Sequence, residues 1–176
     1  MKFLTAAILS ISLNFAPYAA QTDYLFYPAE PSAFEYIQEV HDQVAQLYSY
    51  TQEQVEMIAK VMYHEARGIE SDTEKACVAW VILNRVDAGF GTIEEVITSP
   101  NQFAWYENAP VDNDLRKLAE DVLRRWCREH NGELDVGRVL PSSYLYFYGD
   151  GQHNWFYEKF GEYYVWDYSL ESPYED

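Results

Sequence analysis

Basic side chains are scarce in this chain of 176 residues. It has 12 lysines and arginines against 29 aspartates and glutamates, which gives a formal net charge of −17 and a pI near 4.4. Proteins that bind nucleic acid or anionic membranes gain much of their binding free energy when basic side chains displace counterions from phosphates. This sequence offers no basic stripe for that purpose, so neither nucleic acid nor an anionic membrane is expected as a partner.

Cysteine is almost absent as well, with two residues in the whole chain, Cys77 and Cys127. A single pair is too small for a disulfide framework, and both positions fall inside predicted helices. Two free thiols are therefore favoured over a disulfide.

Motifs for metal, serine-hydrolase and phosphate chemistry are missing too. His64-Glu65 begins like a zinc-protease motif, but Gly68 stands where the second histidine of that motif is required. No Gly-x-Ser-x-Gly or Gly-x-x-x-x-Gly-Lys segment occurs, which argues against serine-hydrolase and P-loop chemistry. We expect no metal and no cofactor.

One hydrophobic run stands out, from Phe3 to Phe15, between Lys2 and a segment rich in alanine. It is shorter than the roughly 20 apolar residues of a membrane span, and its flanks are typical of a secretory signal. The sequence therefore predicts a signal peptide over residues 1–20 and a secreted mature protein without a membrane span. Residues 21–49 are predicted to form a linker and an N-terminal helix.

Helix starts are marked by capping boxes, in which Ser or Thr is followed three residues later by Glu or Gln. The pairs are Ser32 with Glu35, Thr51 with Gln54, Ser71 with Glu74, and Thr92 with Glu95. Apolar residues recur at helical spacing after each pair, and again from about Asp114 to His130. The stretch from Ala76 to Leu83 is apolar all round, which predicts a central buried helix.

After Pro141 the pattern changes to short aromatic stretches that favour β-strands. They are 144–148, 155–157 and 163–166, with a turn predicted at Gly149-Asp150-Gly151. Strands that follow helices indicate an α+β class, mainly helical with a small C-terminal antiparallel sheet. Residues 50–168 are predicted to form one domain, followed by an acidic tail at 169–176.

Glu65 lies at the edge of the apolar stripe that Val55, Ile58 and Met62 form on the second predicted helix. Burial disfavours the ionised form of a carboxyl group, and a general acid must be protonated. The helix breaks soon afterwards, so Glu65 is expected beside a chain reversal where a cleft can open. The alternative from periodicity alone is a structural glutamate that ends its helix or forms an ion pair with an arginine at position 67 or 85.

Three segments together resemble a known family. They are Tyr63-His64-Glu65-Ala66-Arg67-Gly68, Val81-Ile82-Leu83-Asn84-Arg85-Val86 and Ser99-Pro100-Asn101-Gln102-Phe103. They are similar, over about residues 50–160, to bacterial cell-wall hydrolases typified by the spore-cortex-lytic enzymes of SleB type. The resemblance implies a lysozyme-like domain that cuts peptidoglycan between N-acetylmuramic acid and N-acetylglucosamine as a lytic transglycosylase, with Glu65 as its single catalytic residue.

The sequence departs from the family pattern in two features, the position of a second acidic residue and the module that attaches the protein to the cell wall. Many members carry a glutamate where this chain has Ile69, so the acid is displaced to Glu70. The N-terminal wall-binding module that is usual in the family is absent, so an accessory protein is a candidate for anchoring the chain to the cell wall. The secreted protein is expected to be a monomer.

The resemblance also implies a groove for peptidoglycan glycan strands, with Gln102, Phe103, Tyr148 and Trp155 as its binding residues. Exposed aromatic rings stack on sugar faces. The competing interpretation is that half of the C-terminal aromatic residues simply build the packed face of the sheet.

More than one reaction is consistent with these residues. Ordinary glycosidases need a second carboxylate about 5 to 9.5 Å from the first, so a water-using muramidase is a second hypothesis. Some family members carry an amidase label, and a noncatalytic glycan-binding protein or an acidic envelope protein with a protein partner are further rivals. The candidates for the second carboxylate are Glu70, Asp72, Glu107, Asp112 and Asp150.

Overall fold

Helices come first and strands last in the computed structural model, which describes residues 32–34, 36–37, 48–161 and 171–174. The elements are α1 (Gln52–Ala66), α2 (Asp72–Asp87), α3 (Ile93–Thr98), α4 (Asn113–His130), β1 (Tyr146–Gly149) and β2 (Asn154–Tyr157). The predicted α+β class, mainly helical with a small C-terminal antiparallel sheet, is confirmed. The predicted signal peptide, most of the N-terminal helix and the stretch at 163–166 lie outside the described residues.

Two of the predicted capping boxes are complete. The Thr51 hydroxyl accepts the backbone N–H of Gln54 at 3.2 Å, and the Gln54 side chain accepts the backbone N–H of Thr51 at 2.9 Å. Thr92 and Glu95 form the same reciprocal pair at the start of α3. Each box satisfies two backbone donors that a helix start leaves without partners.

The box predicted at the start of α2 is only half formed. The Ser71 hydroxyl accepts the backbone N–H of Glu74 at 3.1 Å, as a cap should. The Glu74 side chain does not return the hydrogen bond, because its carboxyl group binds the C-terminal hairpin instead. Glu74 therefore joins the start of α2 to the hairpin instead of completing the capping box that the sequence predicts.

The core is built around α2, which contacts α1, α3, α4 and β1. Every side chain from Ala76 to Leu83 is fully buried, as the all-round apolar pattern predicted. Complete burial of one large apolar side chain stabilises a fold by about 1.5 to 3 kcal/mol. Phe156, 1% exposed, extends this core into the hairpin. Cys77 and Cys127 are both buried free thiols.

The two strands pair antiparallel, with Phe147 opposite Phe156 and Tyr148 opposite Trp155. The register corrects two boundaries predicted from the sequence. β1 begins at Tyr146 rather than two residues earlier, because the carbonyls of residues 144 and 145 accept side-chain hydrogen bonds from α2. The turn spans residues 150–153, because Gly149 pairs with Asn154 as the last residue of β1.

Within the part of the chain that the structure covers, none of the helices is both long and apolar enough to cross a membrane.

Asn84 links the buried helix to the segment that leads into the hairpin. Its side chain is 1% exposed, and its amide donates to the carbonyls of Pro141 at 2.9 Å and Tyr144 at 2.8 Å. Its carbonyl oxygen accepts from Arg138 at 2.6 Å. All its polar atoms are therefore used inside the protein.

We predict that Asn84→Ala lowers the free energy of unfolding by about 2 to 4 kcal/mol, because buried carbonyl groups and an arginine lose their partners. Urea denaturation followed by circular dichroism measures this. Asn108→Ala, at an exposed asparagine, is the control and should stay within about 0.5 kcal/mol of wild type. Equal midpoints for the two variants would contradict the proposed role of Asn84.

Candidate active site

Glu65 lies in the last turn of α1, and its side chain is half-buried. Its Oε1 atom accepts the backbone N–H of Ala104 at 2.7 Å. Among the described residues Glu65 forms no ion pair, because both candidate arginines are engaged elsewhere. The Arg67 guanidinium lies over the Tyr63 ring at 5.0 Å, and Arg85 binds other groups. Glu65 is thus a carboxyl group held by a neutral donor.

The loop that supplies this donor is held in place by Arg85, whose side chain is 5% exposed. Its Nη1 donates to Oε1 of Gln102 at 3.1 Å, and its guanidinium carbon lies 4.7 Å from the centre of the Phe103 ring. Gln102 and Phe103 immediately precede Ala104, so Arg85 fixes the segment that presents the N–H to Glu65. Two of the predicted groove residues therefore lie in the loop that contacts Glu65.

Arg85 also binds the hairpin. Its Nε donates to the Leu145 carbonyl at 2.7 Å, and its guanidinium faces the Tyr146 ring at 5.4 Å. Burial lowers the pKa of Arg85 from its ordinary value, while the neighbouring tyrosines act in the opposite direction. One buried side chain thereby joins the loop over Glu65 to the start of β1.

The other two predicted groove residues lie together on the hairpin. Tyr148 and Trp155 are direct cross-strand partners, so they share one face of the two-stranded sheet with Tyr146 and Tyr157. The rings of Tyr146 and Tyr157 stack with their centroids 5.6 Å apart. Tyr148 is 39% exposed. This face is an aromatic surface, distinct from the loop that holds Gln102 and Phe103.

The hairpin residue that reaches Glu65 is Asn154, which the sequence analysis missed. It belongs to the opposite face of the hairpin from Tyr148 and Trp155, because side chains alternate along a strand. Its Nδ2 donates to the backbone carbonyl of Glu65 at 3.1 Å. No local sequence pattern signals this contact between residues 89 positions apart.

Glu74 also has a role that its position in the sequence does not predict. Its side chain is buried, with 3% of its surface exposed, and it accepts from the backbone N–H of Asn154 and from Nδ1 of His153 at 3.1 Å. The hydrogen bond and charge of Glu74 raise the pKa of His153. A glutamate three residues after a capping serine is typical of a box, and that local interpretation concealed the tertiary role.

A groove of about 610 Å³ opens where the chain reverses after α1, at Gly68, but Glu65 is not one of the residues that line it. The α1–α2 connection, the first turn of α2 and the hairpin turn line it. Its lining residues are Gly68, Ile69, Glu70, Ser71, Glu74, Gly151, Gln152 and His153.

The five candidates for a second carboxylate have separate positions. Asp72 forms an ion pair on its own helix, and Asp112 is the N-cap of α4. Glu107 lines a different pocket, together with residues of α1. Glu70 is the exposed candidate that lines the groove beside α1.

Asp150, the fifth candidate, organises the hairpin turn. Its carboxylate accepts from Nε1 of Trp155 at 2.8 Å and from the backbone N–H groups of Gln152 and His153, each at 2.8 Å. These hydrogen bonds, with Trp155 the largest contributor, lower the pKa of Asp150 to about 2. At neutral pH such a carboxylate is ionised, and because it already accepts three hydrogen bonds it is a weak base for activating water.

In the described residues no three His, Cys, Asp or Glu side chains come together as metal ligands. His64, which opens the incomplete zinc-protease pattern, packs its ring against Tyr63 and Tyr106.

Fold and site together define an α+β domain with a half-buried acid in the last turn of a helix that ends beside an open groove. The chain matches the family model described as Cell Wall Hydrolase over residues 69–165, more than half of its length. It therefore belongs to this family and is a peptidoglycan-degrading cell-wall hydrolase. Neither a curated protein nor a solved structure gave a significant match. Glu65 lies just before the matched range.

We predict that Asp150 stabilises the fold above about pH 4 and that this stabilisation disappears as the pH falls towards 2. The folded pKa of about 2 lies below the ordinary value of 3.8, so protonation in that interval breaks interactions that the unfolded chain lacks. Melting temperatures of wild type and Asp150→Asn between pH 2 and 7 measure the effect. The wild-type advantage should be constant above about pH 5 and shrink below about pH 4.

The matched control for this measurement is Asp114→Asn, at a carboxylate that is 91% exposed in a surface ion pair. Such pairs contribute little, so its melting temperature should follow that of wild type throughout. A wild-type advantage over Asp150→Asn that does not change between pH 2 and 7 would contradict the assignment.

Proposed function

We propose that this hydrolase cleaves the peptidoglycan glycan strand between N-acetylmuramic acid and N-acetylglucosamine as a lytic transglycosylase, with Glu65 as its only catalytic acid and base. The observation that carries the proposal is the way Glu65 is held. One oxygen accepts the Ala104 N–H, while Oε2 accepts no hydrogen bond from the described residues. That oxygen is left for a proton that can be passed to a substrate.

The reaction needs only this carboxyl group. Protonated Glu65 donates its proton to the glycosidic oxygen as the bond to the anomeric carbon of muramic acid breaks through an oxocarbenium-like state. The resulting carboxylate takes the proton of the 6-hydroxyl of the same sugar, whose oxygen bonds to the anomeric carbon. The products are a 1,6-anhydro end and a free N-acetylglucosamine end, and no water is consumed.

The positions of the other acids support a single-carboxyl mechanism. Asp72, Asp112 and Asp150 each have a structural hydrogen bond or ion pair. The second candidate function is a water-using muramidase, which Glu70 favours because it is exposed on the groove next to α1. In that reaction Glu70 would be the base that activates water, or the nucleophile.

Glycan binding is assigned to two surfaces. Gln102 and Phe103 contact the substrate from the loop over Glu65, close to the bond that is cut. Tyr148 and Trp155, which are cross-strand neighbours, bind sugar rings further along the glycan, because aromatic rings stack on sugar faces. The enzyme acts outside the cell as a monomer, and an accessory protein anchors it to the wall.

Glu65→Gln should lower the rate of glycan cleavage by about 10²-fold to 10⁴-fold, because an amide keeps the shape of the side chain but cannot supply a proton. Release of soluble fragments from purified peptidoglycan measures this. Glu56→Gln, at an exposed glutamate on the same helix, is the control and should match wild type. Wild-type cleavage by Glu65→Gln would rule out the mechanism.

The products distinguish the candidate reactions. Mass spectrometry of the released muropeptides should find 1,6-anhydro ends, which are lighter than reducing ends by one water. Reducing ends, together with loss of activity in Glu70→Gln, would support the muramidase instead. Cleavage of the peptide would support an amidase, and binding without release would support a noncatalytic glycan-binding protein.

A further inference from the structure

Glu74 is a buried glutamate whose one basic partner among the described residues is His153. Glu74 is 2% exposed, and among the described residues no lysine or arginine pairs with it. Removing a carboxyl group from water costs several kcal/mol unless hydrogen bonds compensate. Ser71 already caps α2, so the helix start does not require the Glu74 side chain. Its two hydrogen bonds go instead to the hairpin, at His153 and Asn154.

The partner that links Glu74 to the site is Asn154, which is itself 2% exposed. Its backbone N–H donates to Oε1 of Glu74, and its side-chain Nδ2 donates to the backbone carbonyl of Glu65. The last carbonyls of a helix have no partner within the helix, and Glu65 is the penultimate residue of α1. Asn154 therefore completes the end of α1 at the residue that carries the site.

The hairpin is shaped to admit this side chain. Gly149 is the cross-strand partner of Asn154, and a Cβ atom at Gly149 would lie 2.9 Å from Oδ1 of Asn154. Such a distance is too short for a carbon and an oxygen that do not share a hydrogen bond. Glycine at this position thus lets the Asn154 side chain keep the orientation that reaches Glu65.

We propose that Glu74 and Asn154 are positioning residues for Glu65. Glu74 holds the backbone of Asn154, Asn154 holds the backbone carbonyl of Glu65, and the Ala104 N–H holds the Glu65 carboxyl group. The catalytic part of this inference rests on the proposed function. A displacement of about 1 Å in a catalytic group can cost 10²-fold in rate, so the link acts on turnover rather than on substrate affinity.

The test combines kinetics on solubilised glycan strands with hydrogen exchange of the peptide that covers the end of α1. Asn154→Ala should lower kcat by about 10-fold to 100-fold, leave KM within about twofold, and speed exchange at the amides of residues 66–69. Gly149→Ala should do the same, although it removes no hydrogen-bonding group. Asn108→Ala and Glu56→Gln, both at exposed positions, are the controls and should change neither quantity.

A rescue experiment separates positioning from simple stabilisation. Glu74→Ala should lower kcat as much as Asn154→Ala, whereas Glu74→Gln keeps an oxygen that can accept the Asn154 N–H and should recover most of the loss. Melting temperatures give the folded fraction of each variant. A kcat loss that follows only the folded fraction would overturn the proposal, as would equal kcat values for Glu74→Ala and Glu74→Gln.

The proposal and the proposed function can fail separately. If wild type releases no glycan fragments, the proposed function is wrong. Hydrogen exchange alone then tests whether Glu74 and Asn154 hold the end of α1. Faster exchange at the end of α1 in Asn154→Ala would support it, and unchanged exchange would overturn it. If Asn154→Ala does not fold, Gly149→Ala replaces it in the same comparison with wild type.

Discussion

A helix that is buried on all sides can carry polar side chains only where other segments supply their hydrogen-bond partners. This constraint on α2 organises the whole site. Glu74 near one end of the helix binds the hairpin turn, while Asn84 and Arg85 near the other end bind the segment that leads into β1. Because leaving any of these buried groups unpaired costs about 1 to 3 kcal/mol or more, the loop and the hairpin have little freedom to move relative to α2.

Both segments that contact Glu65, the loop and the hairpin, are held in place by buried polar side chains of α2. Arg85 holds Gln102, and with it the loop whose Ala104 N–H reaches the carboxyl group. Glu74 holds Asn154, whose amide reaches the carbonyl of the same residue. Two neutral donors thus hold Glu65, one at its carboxyl group and one at its backbone carbonyl, while Arg85 holds the neighbouring loop and the start of the hairpin. The proposed role of Glu65 as an acid and base rests on this arrangement.

The family match establishes the general activity, whereas the type of reaction depends on the residues of the site. The match over residues 69–165 establishes a cell-wall hydrolase, and it includes both Glu74 and Asn154. The choice between a transglycosylase and a muramidase depends instead on the number of carboxyl groups that take part. Asp150 is used to shape the turn and to hold Trp155, which leaves Glu70 as the exposed acid on the groove next to α1.

Local sequence patterns were sufficient to predict the α+β class, the helix starts at Thr51 and Thr92, and the burial of α2. Caps and periodicity act between residues three or four positions apart, so they can be read along the chain. The cell-wall hydrolase family was also recognisable from short motifs, and Glu65 was singled out from the edge of an apolar stripe. The role of Glu74 could not be recognised in this way, because a capping box and a tertiary contact look the same in sequence.

Only the tertiary structure decided which groups meet Glu65. Its partners Ala104 and Asn154 are 39 and 89 positions away in the sequence, and Glu74 is 80 positions from Asn154. Two of these three contacts use a backbone N–H and the third a backbone carbonyl, groups that nearly every residue has. Their pairing depends on how α2 packs, since its buried polar side chains bring the loop and the hairpin to the end of α1.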